Sequence, residues 1–240
     1  MIYAAVAAAL LAVLVVLHLF LPWAVRNLLR KRFLERVRAS GCVCLTFDDG
    51  PNPETTPRIL ALLDKAGIKA TFFVTGEHAE QYPELVHNLL AAGHEIGEHS
   101  YSHKHPWESG LFHTLRDIAR THRALNRTLG PGVARRFRPP FGKLNFVTML
   151  YTLLGRRPLA FWNLDPRDYG QMAARAIVDQ VLTHLSPGCV ILLHDGRYQA
   201  HIANSNAHLT VEAVEILLQE FAARNIHPVS LNEALGKEQG

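Results

Sequence analysis

The chain has 240 residues, 48% of them hydrophobic, with 25 Lys and Arg against 21 Asp and Glu for a net charge of +4. That length holds one domain of about 200 residues with its own core, plus an additional segment. The charge is local: Arg26, Arg30, Lys31, Arg32, Arg36 and Arg38 stand with a single acid, Glu35, and the near-neutral remainder excludes nucleic acid as an obvious partner.

From the N-terminus, Ile2 to Pro22 carries no charged residue. As a helix this run is about 30 Å long, the thickness of a bilayer core, and Trp23 suits the interface. A cleaved signal peptide is the rival reading, although no positive n-region precedes the run and no small-residue cleavage site follows it. A buried core helix is a further alternative. Residues 1–24 are therefore expected to be a transmembrane helix and 25–40 a basic juxtamembrane segment. In the latter, Leu29, Phe33, Leu34 and Val37 fall near one helical face. That face suits an anionic membrane surface, and a plain stop-transfer flank explains the charges equally well.

A domain over 41–236 follows. The apolar run Cys42 to Phe47 reads as a buried strand ending in Asp48-Asp49 and a Gly50-Pro51 turn. A helix is predicted from Thr56-Pro57 to Ala66, ended by Gly67, then a strand over 70–74 and a helix from Tyr82-Pro83 to Ala92. His94 to Glu98 is a short strand that ends at His99-Ser100-Tyr101-Ser102-His103. The longest helix spans about 111–129, and Arg138-Pro139-Pro140-Phe141-Gly142 follows a further strand. Beyond it come a helix over 144–154, a strand over 158–163, a helix over 172–185 and a strand over 189–193 that closes on His194. A polar connection, 197–208, is read as a loop at the mouth of the site. A helix over 210–224 and a strand over 227–230 complete the pattern. This β/α rhythm argues for a mostly parallel sheet or barrel. Cys42, Cys44 and Cys189 sit in strand candidates and read as buried thiols in a reducing compartment, not a disulfide framework or a zinc ribbon.

Adjacent carboxylates at the end of a buried strand repel unless a cation or a shared proton separates their roles. The Asp48-Asp49 pair therefore asks for a metal. Two imidazoles four apart, His99 and His103, reach one ion if the segment makes a helical turn. One Asp and two His form a facial triad with positions open to water.

Five motifs in this order, Thr46-Phe47-Asp48-Asp49-Gly50, His99 to His103, Arg138 to Phe141, Asp165 to Tyr169 and Leu192 to His194, resemble those of the polysaccharide deacetylases of carbohydrate esterase family 4, the NodB-homology domain. The resemblance covers most of the chain and implies a distorted, incomplete (β/α) barrel. It implies Asp48 as catalytic base and Asp49, His99 and His103 as ligands of one divalent ion, most often zinc, with cobalt, nickel or iron also accepted. It implies Arg138 as the partner that holds Asp48 ionised, and the backbone N–H of Phe141 as oxyanion donor. His194 is the implied general acid, Asp168 its charge partner, and Leu192 and Tyr169 the walls of the acyl pocket. Phe141 replaces the family's Tyr and Tyr169 its Trp, which leaves acyl-group preference open. His78, His87, His113, His122, His184 and His227 are read as structural, and His201 and His208 as possible substrate contacts.

The expected activity is metal-dependent removal of an N-acetyl group from an amino sugar. The positive-inside rule puts the domain in the cytoplasm, behind a single span of a bacterial inner membrane with its N-terminus outside. That location favours a lipid-linked N-acetylhexosamine of the polyprenyl-phosphate type, used in modifying an envelope glycolipid such as lipopolysaccharide. An extracytoplasmic deacetylase of peptidoglycan, chitin or poly-N-acetylglucosamine is the first alternative. A deformylase of an amino-sugar lipid and a non-catalytic carbohydrate-binding module are two others. The partners expected are the amino-sugar substrate and membrane lipid, with no protein partner.

Overall fold

The computed structural model describes residues 1–170, 173–196 and 207–236. Its first element is one continuous helix, Ile2–Ser40. It runs through α1 (Ile2–Val15), a π-helical turn (Val16–Phe20) and α2 (Leu21–Ser40), and Gly41 stops it in the left-handed conformation at φ 69°. Every residue of α1 is exposed, whereas Pro22, Phe33 and Val37 of α2 are buried. The stripe of Leu29, Phe33, Leu34 and Val37 packs into the domain core, so the domain and not a membrane surface covers it.

The centre is a four-stranded parallel sheet in the order β3-β2-β1-β4. Its strands are β1 (Cys44–Asp48), β2 (Thr71–Val74), β3 (Glu95–Glu98) and β4 (Val190–His194). Side chains alternate between its faces, as pleating requires. Leu45, Phe47, Phe72, Val74, Ile191 and Leu193 point to one core with α3 (Thr56–Ala66), α5 (Pro83–Ala91), α8 (Ala174–His184) and α9 (Ala207–Ala223). Cys44, Phe73 and Val190 point to a second core with Phe33 and Val37 of α2 and with Phe137, Leu144, Met149 and Phe161. Strands buried on both faces explain the apolar runs.

Beyond β3 the ladder thins to single parallel bridges, Glu98 with Phe137, Phe137 with Leu159, and Leu164 with Ile191 of β4. These carry the ring round as a distorted barrel. The strands expected at 158–163 and 227–230 are thus reduced to bridges, the latter to Cys44 with Val229. Proline has no N–H to give a ladder; Pro158 opens the first segment, Pro166 follows it, and Pro228 lies within the second. The side chain of Asn163 also stands in for backbone, accepting from Val190 N–H at 2.7 Å and donating to Gly188 O at 3.1 Å.

The expected helices are present, with α6 (Leu111–Leu129) as predicted and α7 (Phe146–Leu154) starting two residues late. The late start has a cause: Asn145 and Thr148 form a capping box. Two short helices are absent from the sequence reading, α4 (Gly76–Gln81), capped by Thr75, and α10 (Leu231–Leu235), capped by Ser230. Cys44 and Cys189 are buried free thiols, while Cys42 precedes β1 and is only partly buried. His201 and most of the predicted loop 197–208 lie outside the described residues; His208 lies on α9 and is exposed.

Candidate metal-dependent active site

The site lies at the C-terminal ends of the parallel strands. Asp48 is the last residue of β1 and sits in register beside His194, the last residue of β4. Parallel neighbours are about 4.8 Å apart, so sheet register alone brings the two together. Asp49 follows at φ 71°, in the left-handed region that non-glycine residues rarely enter. A hydrogen bond from His78 Nδ1 to Asp49 O, 2.8 Å, supports that turn; the carbonyl can only accept, so Nδ1 carries the hydrogen. Spacing reads His78 as structural and does not reveal its contact with the Asp49 backbone.

His99 and His103 meet Asp49, but not through the helical turn expected. The segment is an irregular loop with Ser100 at φ 63° and His103 at φ 46°. Asp117 holds it open from α6, accepting from the backbone N–H of Tyr101 and Ser102 at 2.9 and 3.0 Å. These side-chain acceptors replace the carbonyls a helix would offer. The result places His99 Nε2 and His103 Nε2 3.3 and 3.2 Å from the same oxygen, Asp49 Oδ1.

Three observations fit this cluster to a divalent ion. The three ligand atoms lie within 4.8 Å of one another. Asp49 Oδ1 is buried and, among the described residues, receives no hydrogen bond of good geometry, an expensive arrangement for a carboxylate without a cation. His99 Nδ1 donates to Arg138 O at 2.7 Å, which leaves the Nε2 lone pair facing the cluster in the tautomer a metal requires. Burial would lower His99, but Asp48 and Asp49 raise it, so an ion at its Nε2 would displace a proton. Burial would raise the Asp49 carboxyl, but His103 and His99 pull it well below the usual range. Burial lowers His103 to about 4, keeping it neutral, the form that can bind a cation.

Asp48 is held from behind. Arg138, fully buried, donates from Nη1 to Asp48 Oδ1 at 2.7 Å and to Thr46 Oγ1 at 2.8 Å, and from Nη2 to Phe161 O at 3.2 Å. Its guanidinium also lies 4.1 Å from the centre of the Phe73 ring. Asp48 Oδ2 lies on the ligand side, 3.6 Å from His99 Nε2. Thr46 and Phe73 are therefore part of the apparatus. Thr46 was findable: it lies two residues before Asp48, on the same face of β1.

On the other side, Asp168 takes His194 at two points, from backbone N–H at 2.8 Å and with Nδ1 at 2.7 Å. Thr210 Oγ1 donates to the same carboxylate at 3.0 Å. Burial would lower the imidazole, but Asp168 dominates and lifts it to about 10. Leu192 is buried on β4, and the half-exposed Tyr169 ring meets His194 edge-on at 5.4 Å. Phe141 stands at φ 57° after Pro139-Pro140, its ring against His103 at 5.0 Å and His105 at 4.9 Å. Asp195 was not anticipated: its carboxyl, raised to about 7 by burial, receives Thr56 Oγ1 at 2.6 Å and lies against Gly50, where a Cβ would collide with it.

A family model described as polysaccharide deacetylase matches residues 36–154. The chain is 34% identical to a chitooligosaccharide deacetylase of Sinorhizobium fredii, over 77% of this chain and 88% of that protein. The chain belongs to the polysaccharide deacetylase family. It is 33% identical to a peptidoglycan-N-acetylglucosamine deacetylase of Bacillus cereus, over 79% of this chain and 66% of that one. The solved structure of the peptidoglycan deacetylase PdaC from Bacillus subtilis superposes with a TM-score of 0.70 at 30% identity, covering 81% of this chain and 89% of the chain in that structure. This deacetylase is thus an amide hydrolase of a metal-dependent family, on a parallel α/β barrel.

Proposed function

We propose that this deacetylase removes the N-acetyl group of an amino sugar carried on a polyprenyl-phosphate-type lipid, and that Asp49, His99 and His103 hold one zinc ion for the reaction. A bound divalent ion lowers the pKa of a coordinated water by several units and polarises the amide carbonyl. Zinc suits a mixed His and carboxylate set with open positions, and such sites also accept cobalt, nickel or iron. Asp48 is the base. Its Oδ1 is tied to Arg138, and its Oδ2, on the ligand side, takes the proton of the attacking water. His194 is the acid, carrying the proton that the leaving amine needs. Asp168 keeps His194 charged and aimed. The backbone N–H of Phe141 donates to the developing oxyanion, a contact worth about 3 kcal/mol. Leu192 and Tyr169 bound the space for the acyl methyl.

One observation carries the lipid-linked reading. The apolar half of helix Ile2–Ser40 is bare while its second half is built into the catalytic core. With the bare half in a bilayer, the active site stands against the membrane surface. The basic excess after the span favours the cytoplasmic side, each residue contributing about 1 kcal/mol near an anionic leaflet. A C-terminal alkaline phosphatase fusion should then be inactive; an active one would refute the orientation and this substrate with it. The names of the relatives, chitooligosaccharide and peptidoglycan deacetylases, favour a second reading, a polymer deacetylase outside the cytoplasm. Amine release from an N-acetylglucosamine oligomer, compared with release from a lipid-linked N-acetyl sugar, separates the two.

A further inference from the structure

Of the six basic residues after the span, Lys31, Arg32, Arg36 and Arg38 are exposed. Arg26 and Arg30 are not; they share a helical face with the buried Phe33 and Val37, at spacings of four, seven and eleven from Arg26. A charge that only sets topology has no reason to face inward. These two lie against the loops that build the active site. Arg26 Nε donates to Gly142 O at 2.7 Å, next to Phe141, and its guanidinium lies 5.4 Å from the centre of the Phe161 ring. Arg30 Nη2 donates to Trp162 O at 3.2 Å. Together with Phe161 and Trp162 they line a cleft of about 300 Å³.

No carboxylate among the described residues pairs with either guanidinium. Arg26 bonds Gly142 O and the Asn27 amide oxygen, and Arg30 bonds Trp162 O, so donors of both forks remain for a ligand. Burial, and then the charge of Arg30, lower Arg26 from its ordinary value, as expected where two cations share a cleft without an anion. Contacts run unbroken from the cleft to the metal cluster. Arg26 holds Gly142, Phe141 precedes it, the Phe141 ring packs on His103, and His103 reaches Asp49. Along the helix Arg26 and Arg30 lie roughly 5 and 10 Å beyond Trp23, the depth of lipid headgroups if Trp23 marks the interface.

We infer that Arg26 and Arg30 form a phosphate-binding site, and that it holds the phosphate linking the amino sugar to its lipid. This rests on the lipid-linked reading above and adds to it the group recognised and the residues that recognise it. Arginine forks match phosphate oxygens in pairs. In a sugar joined through C1 to phosphate and bearing the acetamido group at C2, the two groups sit on neighbouring carbons. Anchoring the phosphate would therefore present the amide to the metal side of Phe141.

The test uses the full chain in neutral detergent micelles and two glycolipids with the same 2-acetamido sugar and the same tail. One is linked through a phosphate, the other through a neutral ether. The wild type should prefer the phosphate-linked lipid. In Arg30→Ala the ratio of kcat/KM for phosphate-linked over neutral lipid should fall about tenfold, the worth of one charge-assisted contact, and Arg30→Lys should recover part of it. Equal wild-type kcat/KM on both glycolipids would overturn the phosphate site while leaving the lipid-linked reading standing. Turnover of an N-acetylglucosamine oligomer with none of either glycolipid would overturn both. If the Arg30→Ala deficit arises only when phosphatidylglycerol is added to the micelles, the site reads bulk headgroups and the proposal fails.

Discussion

Asp49 and His103 stand on left-handed backbone at φ 71° and 46°, whereas His194 ends a regular strand and meets Asp168 through two hydrogen bonds. The proposed metal side of the site is thus built by bending the chain where side chains resist it, at a cost on the order of 1 kcal/mol per residue. The proposed acid side is built by register, with β1 and β4 delivering Asp48 and His194 as neighbours. A cation needs three lone pairs converging on a point, which a repeating backbone seldom supplies. A proton donor needs one aimed contact, which a strand end supplies readily. The two sides should therefore respond to mutation in different ways.

The widest gap should open within the Asp48-Asp49 pair. Asp49→Ala removes the oxygen shared by both imidazoles, and both metal content and activity should be lost, the latter on the order of 10³-fold or more. Asp48→Asn should retain the metal by elemental analysis while turnover falls about 10²- to 10⁴-fold. Full activity in Asp48→Asn would remove Asp48 as the base. Arg138→Met should act on stability as well as turnover. It strips the buried partner from a buried carboxylate, and urea denaturation should register a loss of about 3–5 kcal/mol.

On the acid side, Asp168→Asn tests whether His194 works as a charged group. Asp168 raises His194 to about 10, so the imidazolium persists through neutral pH and activity should fall as pH rises through that value. The same sign holds for stability. The ion pair contributes fully below the ordinary histidine pKa, near 6.5, and its contribution disappears as pH climbs past the folded value. In Asp168→Asn the alkaline limb of kcat/KM should move to lower pH by a unit or more. An unmoved limb would assign it to another group. The smallest effect is expected from Phe141→Tyr, where the half-exposed ring changes and the backbone donor does not. Activity should stay within about threefold. A larger change would mean that the ring, packed on His103, governs the ligand.

What the sequence revealed, and what it hid, divides along the same line. Asp48, His194 and the strands beneath them were legible because apolar runs bounded by turn residues mark strand ends, and chemistry gathers there. The identities of His99 and His103 were legible too, but not the backbone that unites them. A helical turn was the simplest geometry for that spacing, and Asp117, fourteen residues beyond His103, enforces another. Contacts of this range leave no periodic trace. Nor do His78 on Asp49 O, Asp195 beneath Gly50, or the reduction of 158–163 to a single bridge. The amphipathic stripe of α2 was seen correctly as a stripe; only its partner, the domain core instead of a lipid surface, required the fold.

The unbroken helix Ile2–Ser40 has a geometric consequence. Between the apolar half and the half packed on the domain there is no glycine and no loop, and a Cβ at Gly188 would meet the Arg38 backbone, so the end of the rod is wedged into the domain. With the apolar half embedded, such an enzyme has almost no vertical freedom; its active site sweeps a sheet a few ångströms thick. Encounter with a substrate confined to the same sheet becomes a planar problem, and the effective concentration of that substrate is set by its area density. A polymer strand some tens of ångströms away would be out of reach at any bulk concentration.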